Sequence, residues 1–138
     1  MSTKRDLVLY RALFNLSNTF LKIVIKNVES HGMTIDNFRI LELLYSETEN
    51  HTIQMLSEKL QIPSGSITYV VNRLMNLDYI EKTPYPTDKR ASYVNLTTAG
   101  KNAIRKIIPE HVKFISSKME EINEEEKQLL INLLNKLG

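Results

Sequence analysis

The chain has 138 residues, 42% of them hydrophobic and 25% charged, with a formal net charge of +2; this suits one packed domain, or one module with extensions, and not a disordered polyelectrolyte. Cysteine is absent, which excludes disulfides, thiolate metal sites and any sensor that oxidises its own thiol. No apolar run approaches the roughly 20 residues needed to cross a bilayer, and MSTKRDL lacks the charged-then-apolar opening of a signal peptide, so a cytoplasmic protein with no membrane partner is expected.

Residues from about Lys4 to Ser30 read as one long helix, with Leu7, Tyr10, Leu13, Phe14, Leu21, Val24, Ile25 and Val28 near the helical period. Leu16, Phe20 and Ile23 widen its apolar surface beyond what one neighbour covers, so burial on two sides is expected, once by its own chain and once by a partner. His31-Gly32 ends that helix. Thr34 is an N-cap for a second helix over Ile35 to Ser46, with Phe38, Leu41, Leu44 and Tyr45 inward, and Glu47 to His51 reads as a loop.

Thr52 caps a short amphipathic helix over Ile53 to Leu60, Gln61 to Ser64 is a turn with Ile62 pointing in, and a further helix spans about Ser64 to Asn76. Ile67, Val70, Val71 and Leu74 share one face of that helix. The other carries Gly65, Thr68, Tyr69, Asn72 and Asn76, with Ser64, Ser66 and Arg73 at its edges: small, hydrogen-bonding side chains suited to close approach to base edges. Tyr79 to Thr83 and Ser92 to Leu96 are strand-like, and between them Pro84 to Ala91 forms a loop whose two prolines oppose a continued ladder. Thr97 or Thr98 caps a long helix to about Glu121, with a kink expected at Pro109. Asn123-Glu124-Glu125-Glu126 opens a last helix with a leucine stripe from Leu129 to Leu137. The expected architecture is mainly α with a small β-hairpin wing: a winged helix-turn-helix with helical dimerisation arms. Residues 1–33 form the N-terminal arm, 34–97 the DNA-binding lobe and 98–138 the C-terminal arm.

With those residues in place, the chain resembles the MarR family of bacterial transcription regulators along nearly its whole length. Asp88-Lys89-Arg90, then Leu96-Thr97 and Gly100, looks like the family's wing-to-helix signature. Gly32-Met33-Thr34 with Phe38 and Leu41 is similar to the opening of its second helix, although Asn37 stands where Gln or Glu is frequent. The resemblance implies an obligate homodimer whose first and last two helices interlock while two winged modules grip an inverted repeat in double-stranded operator DNA. It implies repression, with release in many members by a small aromatic or phenolic effector.

In the recognition helix, Thr68 offers a methyl to thymine and Asn72 an amide to adenine, while Ser64, Ser66, Tyr69 and Arg73 suit phosphates. Arg90 is the expected minor-groove contact of the wing, oriented by Asp88, with Lys89 and Lys82 adding attraction to phosphates. Tyr10, Phe14, His31, Met33, Phe38 and Tyr45 are the expected walls of an effector crevice. An enzyme is disfavoured: His31, His51 and His111 are far apart in sequence, with no phosphate loop or nucleophile motif, and neither a metal nor a cofactor is expected. The remaining rival is a winged helix that binds protein, which should carry exposed apolar anchors in that helix; Tyr69 is the one candidate.

Overall fold

The computed structural model of the chain describes residues 2–138, with the side chains of Ser2, Tyr85, Asp88, Lys89 and Arg90 outside the described set. In chain order the elements are α1 (Ser2–Ser30), α2 (Ile35–Ser46), β1 (His51–Thr52), α3 (Ile53–Leu60), α4 (Ser64–Asn76), β2 (Ile80–Tyr85), β3 (Asp88–Leu96), α5 (Thr98–Lys118) and α6 (Glu124–Leu137). Local chemistry sets most boundaries. The side chains of Thr34, Thr52, Thr97 and Asn123 each accept a backbone N–H three residues on, and Asn123 completes a reciprocal capping box with Glu126. Thr97, not Thr98, is therefore the cap of α5.

One core joins the elements: Val28 from the end of α1, Phe38, Ile40 and Leu41 from α2, Leu56 from α3, Ile62 from the turn, Ile67, Val70, Val71 and Leu74 from α4, Ile80 and Val94 from the sheet, and Ile104 and Ile107 from α5. Tyr45, expected inward, is instead 38% exposed, and Ile40 takes the inward position. α5 runs through Pro109 as a single helix but stops at Lys118, three residues short of the expected end.

The antiparallel sheet has the order β1-β3-β2. Its first strand lies in the stretch read as a loop: His51 pairs with Val94 and Thr52 with Tyr93, and His51 is fully buried. The hairpin is also longer than expected, with Pro84 in register opposite Ser92. Proline is tolerated because β2 is the edge strand and needs no donor on its open side. The irregularity comes one step later. The step from Pro84 to Tyr85 is opposed on β3 by the step from Ser92 to Asp88, so residues 89–91 are surplus length at the wing.

α1 is 29 residues, about 43 Å at the helical rise, and only its last turns enter the core. Leu7, Val8, Leu9, Tyr10, Phe14, Leu16 and Leu21 are all exposed, and α6 buries no residue at all. The chain exposes 10126 Å² in total, against about 7,400 Å² for a compact monomer of its mass. Within Thr3–Ser30, α1 contains an 18-residue stretch that is, by length and composition only, apolar enough to cross a bilayer. This corrects the expectation that no segment is.

Candidate nucleic-acid interface

α4 stands on four anchors, Ile67, Val70, Val71 and Leu74, each no more than 4% exposed, which turns the opposite face to solvent. Ser64, Gly65, Ser66, Thr68, Tyr69, Asn72 and Asn76 are exposed there and Arg73 is half-buried. No Asp or Glu occurs in the helix, so nothing on it repels phosphate. The Thr68 hydroxyl donates to the Ser64 carbonyl at 3.0 Å, which leaves its methyl as the group not engaged within the helix. Tyr69 is 64% exposed, and the Arg73 guanidinium lies over its ring, 5.8 Å from the centroid.

The start of α4 is open. Pro63 is the N-cap and supplies no side-chain acceptor, so the first amides of the helix, at its positive end, point outward unsatisfied. The preceding turn is held tightly. Gln61 takes the left-handed conformation (φ 55°), the Ile62 N–H donates to the Ser57 carbonyl at 3.1 Å, and the Ser57 hydroxyl donates to the Ile62 carbonyl at 2.6 Å. Arg39, reaching across from α2, donates through Nη2 to the carbonyl of Leu60, the last residue of α3. The end of α4 is fixed by a left-handed Asp78 (φ 61°), with Tyr79 N–H to Leu74 and Asp78 N–H to Met75, both at 3.0 Å.

Beside α4 projects the β2–β3 wing. Lys82 is exposed on β2. The side chains of Asp88, Lys89 and Arg90 lie outside the described residues; their backbone places Lys89 and Arg90 in the surplus length of the bulge.

Two further features bear on function. Between α1, α2 and α5 lies a cavity of about 470 Å³ lined by Ser17, Phe20, Leu21, Val24, Ile35, Phe38, Arg39, Glu42, His111 and Ile115. Of the six expected effector residues Phe38 lines it, its ring edge-on to His111 at 4.6 Å between centroids. Tyr10 and Phe14 sit on the exposed arm, in contact with each other; His31 and Tyr45 are exposed, Met33 is half-buried, and none of them lines the cavity. Burial pushes His111 below the ordinary imidazole range, against the pull of the Glu42 carboxylate and with a small push from His31. Sequence periodicity gave no sign of Arg39 or His111, because the cavity forms only where α5, distant in sequence, folds back onto the consecutive α1 and α2.

The second feature is a charge cluster at the foot of β1. Donor atoms of Glu47, Glu49 and His51 lie within 4.8 Å of one another, but the Lys59 ammonium fills their focus. It is 2.8 Å from Glu47 Oε2, in contact with Glu49 and 3.2 Å from His51 Nε2. The Lys59 hydrogen bond, with that of Glu49 second, holds the Glu47 carboxyl below its ordinary value, and the bonds to Glu47 and Glu49 raise Lys59.

A family profile described as MarR family matches residues 31–91, from the end of α1 through most of the wing. Among relatives, the HTH-type transcriptional regulator MhqR of Bacillus subtilis (strain 168) is 29% identical over 136 residues, covering 99% of this chain and 93% of that protein. The uncharacterized HTH-type transcriptional regulator YkoM of the same strain is 30% identical over 135 residues, covering 98% and 87%. Among solved structures, a mutant MarR from E. coli complexed with operator DNA superposes with a TM-score of 0.78 at 21% identity, over 96% of this chain and 95% of that one. At that identity the superposition establishes a shared fold.

Proposed function

The chain belongs to the MarR family of HTH-type transcription regulators, which bind DNA and are not enzymes, and from that premise we propose that it is a homodimeric repressor of a palindromic operator. The observation that carries this reading is the exposed face of α4: free of acid, open at its N-terminus and rigidly mounted on four buried anchors. In the dimer, residues 1–33 and 98–138 interlock with their counterparts, so the apolar faces of α1 and α6 meet protein and not lipid, as suits a cytoplasmic DNA-binding protein. The excess surface of about 2,700 Å² over a compact monomer is in the range that obligate dimers bury. Residues 34–97 form the lobe that reads DNA.

Each α4 enters a major groove N-terminus first, with about one helical turn, roughly 34 Å, between the two copies. Thr68 and Asn72 meet base edges. Ser64, Ser66, Tyr69, Arg73 and Lys89 contact phosphates, and Arg90, steered by Asp88, enters the minor groove. Footprinting on the chain's own promoter region tests the arrangement, the expected result being two protected half-sites in inverted repeat. Arg90→Ala is expected to weaken operator binding by about 1–3 kcal/mol while leaving the dimer intact by sedimentation; unchanged affinity at moderate salt would defeat the wing assignment.

The cavity beside Phe38, His111 and Arg39 is the place proposed for a small aromatic or phenolic effector, since it has apolar walls with a few convergent polar groups. Calorimetry with a panel of phenols and quinols checks this; neither heat of binding nor loss of operator affinity would remove the effector from the account. The exposed Tyr69 favours one rival, a winged helix that docks on protein. Salt separates the two, because phosphate contacts make affinity fall steeply with ionic strength and an aromatic anchor does not.

A further inference from the structure

Arg39 lines the cavity between α1, α2 and α5, while its guanidinium donates to the carbonyl of Leu60. That carbonyl is the last of α3, one of the helix-end acceptors that have no partner in their own helix, and a cation there also suits the negative end of the helix. The same few residues, Ser57 to Pro63, make the turn that aims α4. One side chain is thus shared between the proposed effector cavity and the mounting of the recognition helix.

We propose that Arg39 couples the cavity to DNA binding: an aromatic ligand bearing an anionic oxygen draws its guanidinium off Leu60, and the α3–α4 turn loosens. This rests on the effector reading above for the ligand, but not for the role of the Arg39–Leu60 bond. The chemistry favours such a ligand. Phe20, Phe38 and Ile115 supply the apolar walls, and burial keeps the imidazole of His111 from competing as a second cation. The Glu42 carboxylate, which accepts from the Ser46 hydroxyl, also lines the cavity and repels an anion, so the contact with Arg39 has to outweigh that repulsion. A carboxylate offers the guanidinium a charge-assisted, two-pronged acceptor, and a phenolate a charge-assisted single one, each stronger than the neutral carbonyl of Leu60. The ligand shifts the equilibrium only by the difference in its affinity for the two positions of Arg39.

Two variants of the full-length dimer test this, with benzoate and its neutral counterpart benzamide as probes. Arg39→Met keeps the stem and loses the donors. Ser57→Ala removes a hydrogen bond of the same turn without touching the cavity. Without any probe, both variants are expected to bind operator about tenfold more weakly, with unchanged sedimentation. Benzoate, but not benzamide, is expected to lower operator affinity of the wild type and of Ser57→Ala, and to leave Arg39→Met unaffected. A general loosening of the turn would leave the benzoate response of Arg39→Met intact, and that result overturns the proposal. So does probe-free operator affinity of Arg39→Met equal to wild type. If the wild type takes up neither probe by calorimetry, the effector reading fails separately, and the probe-free comparison still decides whether Arg39 mounts the turn.

Discussion

At Gly65 an added methyl would meet nothing of its own chain within 4 Å, so the fold has no need of glycine in the first turn of α4. A glycine inside a helix costs up to about 1 kcal/mol relative to alanine; on the proposed reading it is kept because a phosphate backbone comes close there. Gly65→Ala is therefore expected to raise the unfolding free energy by up to about 1 kcal/mol while lowering operator affinity. Chemical denaturation and a DNA titration read the two effects, and a fall in stability would refute the premise. At this scale the sequence was legible where chemistry is local. The caps at Thr34, Thr52 and Asn123 act over three residues, and the inward positions of α4 repeat with the helix. Arg39, whose partner is 21 residues away, carried no such signal. Nor did the aromatics: Tyr10 on an open arm and Phe38 in a cavity wall look alike in a periodic pattern.

Between elements, the closest fit is at Gly100. A Cβ there would fall 2.0 Å from the Tyr79 carbonyl oxygen, and the Thr97 N–H and hydroxyl bond the adjacent Tyr79 and Asp78 carbonyls at 3.1 and 2.6 Å. The start of α5 is thus pressed onto the segment leaving α4. Gly100→Ala has backbone in its way and is expected to cost about 3 kcal/mol or more, seen as a lowered thermal midpoint; a midpoint unchanged within a degree would show that the contact yields. The cluster around Lys59 ties α3 to the segment leading into β1, and its dependence on pH follows from two opposite shifts. Glu47 is depressed below its ordinary 4.5, so its contribution is whole above that value and fades as acid protonates it in the folded state. Lys59 is raised above 10.5, so its contribution is whole below that value and fades as base neutralises it. Lys59→Met should therefore flatten the pH dependence of stability at both edges and leave neutral pH least altered in slope; identical pH profiles for variant and wild type would contradict the pairing. β1 was hidden because two residues cannot display a period, and its buried residue is a histidine in a polar run. The wing was misjudged through Pro84, since a proline on an edge strand and one in a loop read the same until the neighbouring strand is known.

Over the whole molecule, one core ties the winged lobe to Val28 of α1 and to Ile104 and Ile107 of α5, while most of α1 and all of α6 stay outside it. Leu130 and Leu134 of α6 line a second, apolar groove with Leu13, Leu16 and Phe20 of α1, at the place where a partner's arm would enter. Leu134→Asp puts a carboxylate into that contact and is expected to weaken self-association by about 3 kcal/mol, with operator affinity falling in step; sedimentation that still reports a full dimer would move the interface elsewhere. The broad apolar surface that α1 leaves exposed was legible in the sequence, because its width is a sum over many residues and survives errors at any one of them. Because α6 buries nothing of its own, pairing and reading fall to separate parts of the polypeptide in the proposed dimer. A copy crippled in α4 would still be accepted by healthy siblings, and each such mixed couple would hold one blind half. In a cell carrying both alleles the defect would behave as dominant, silencing more of the regulator than the damaged gene itself supplies.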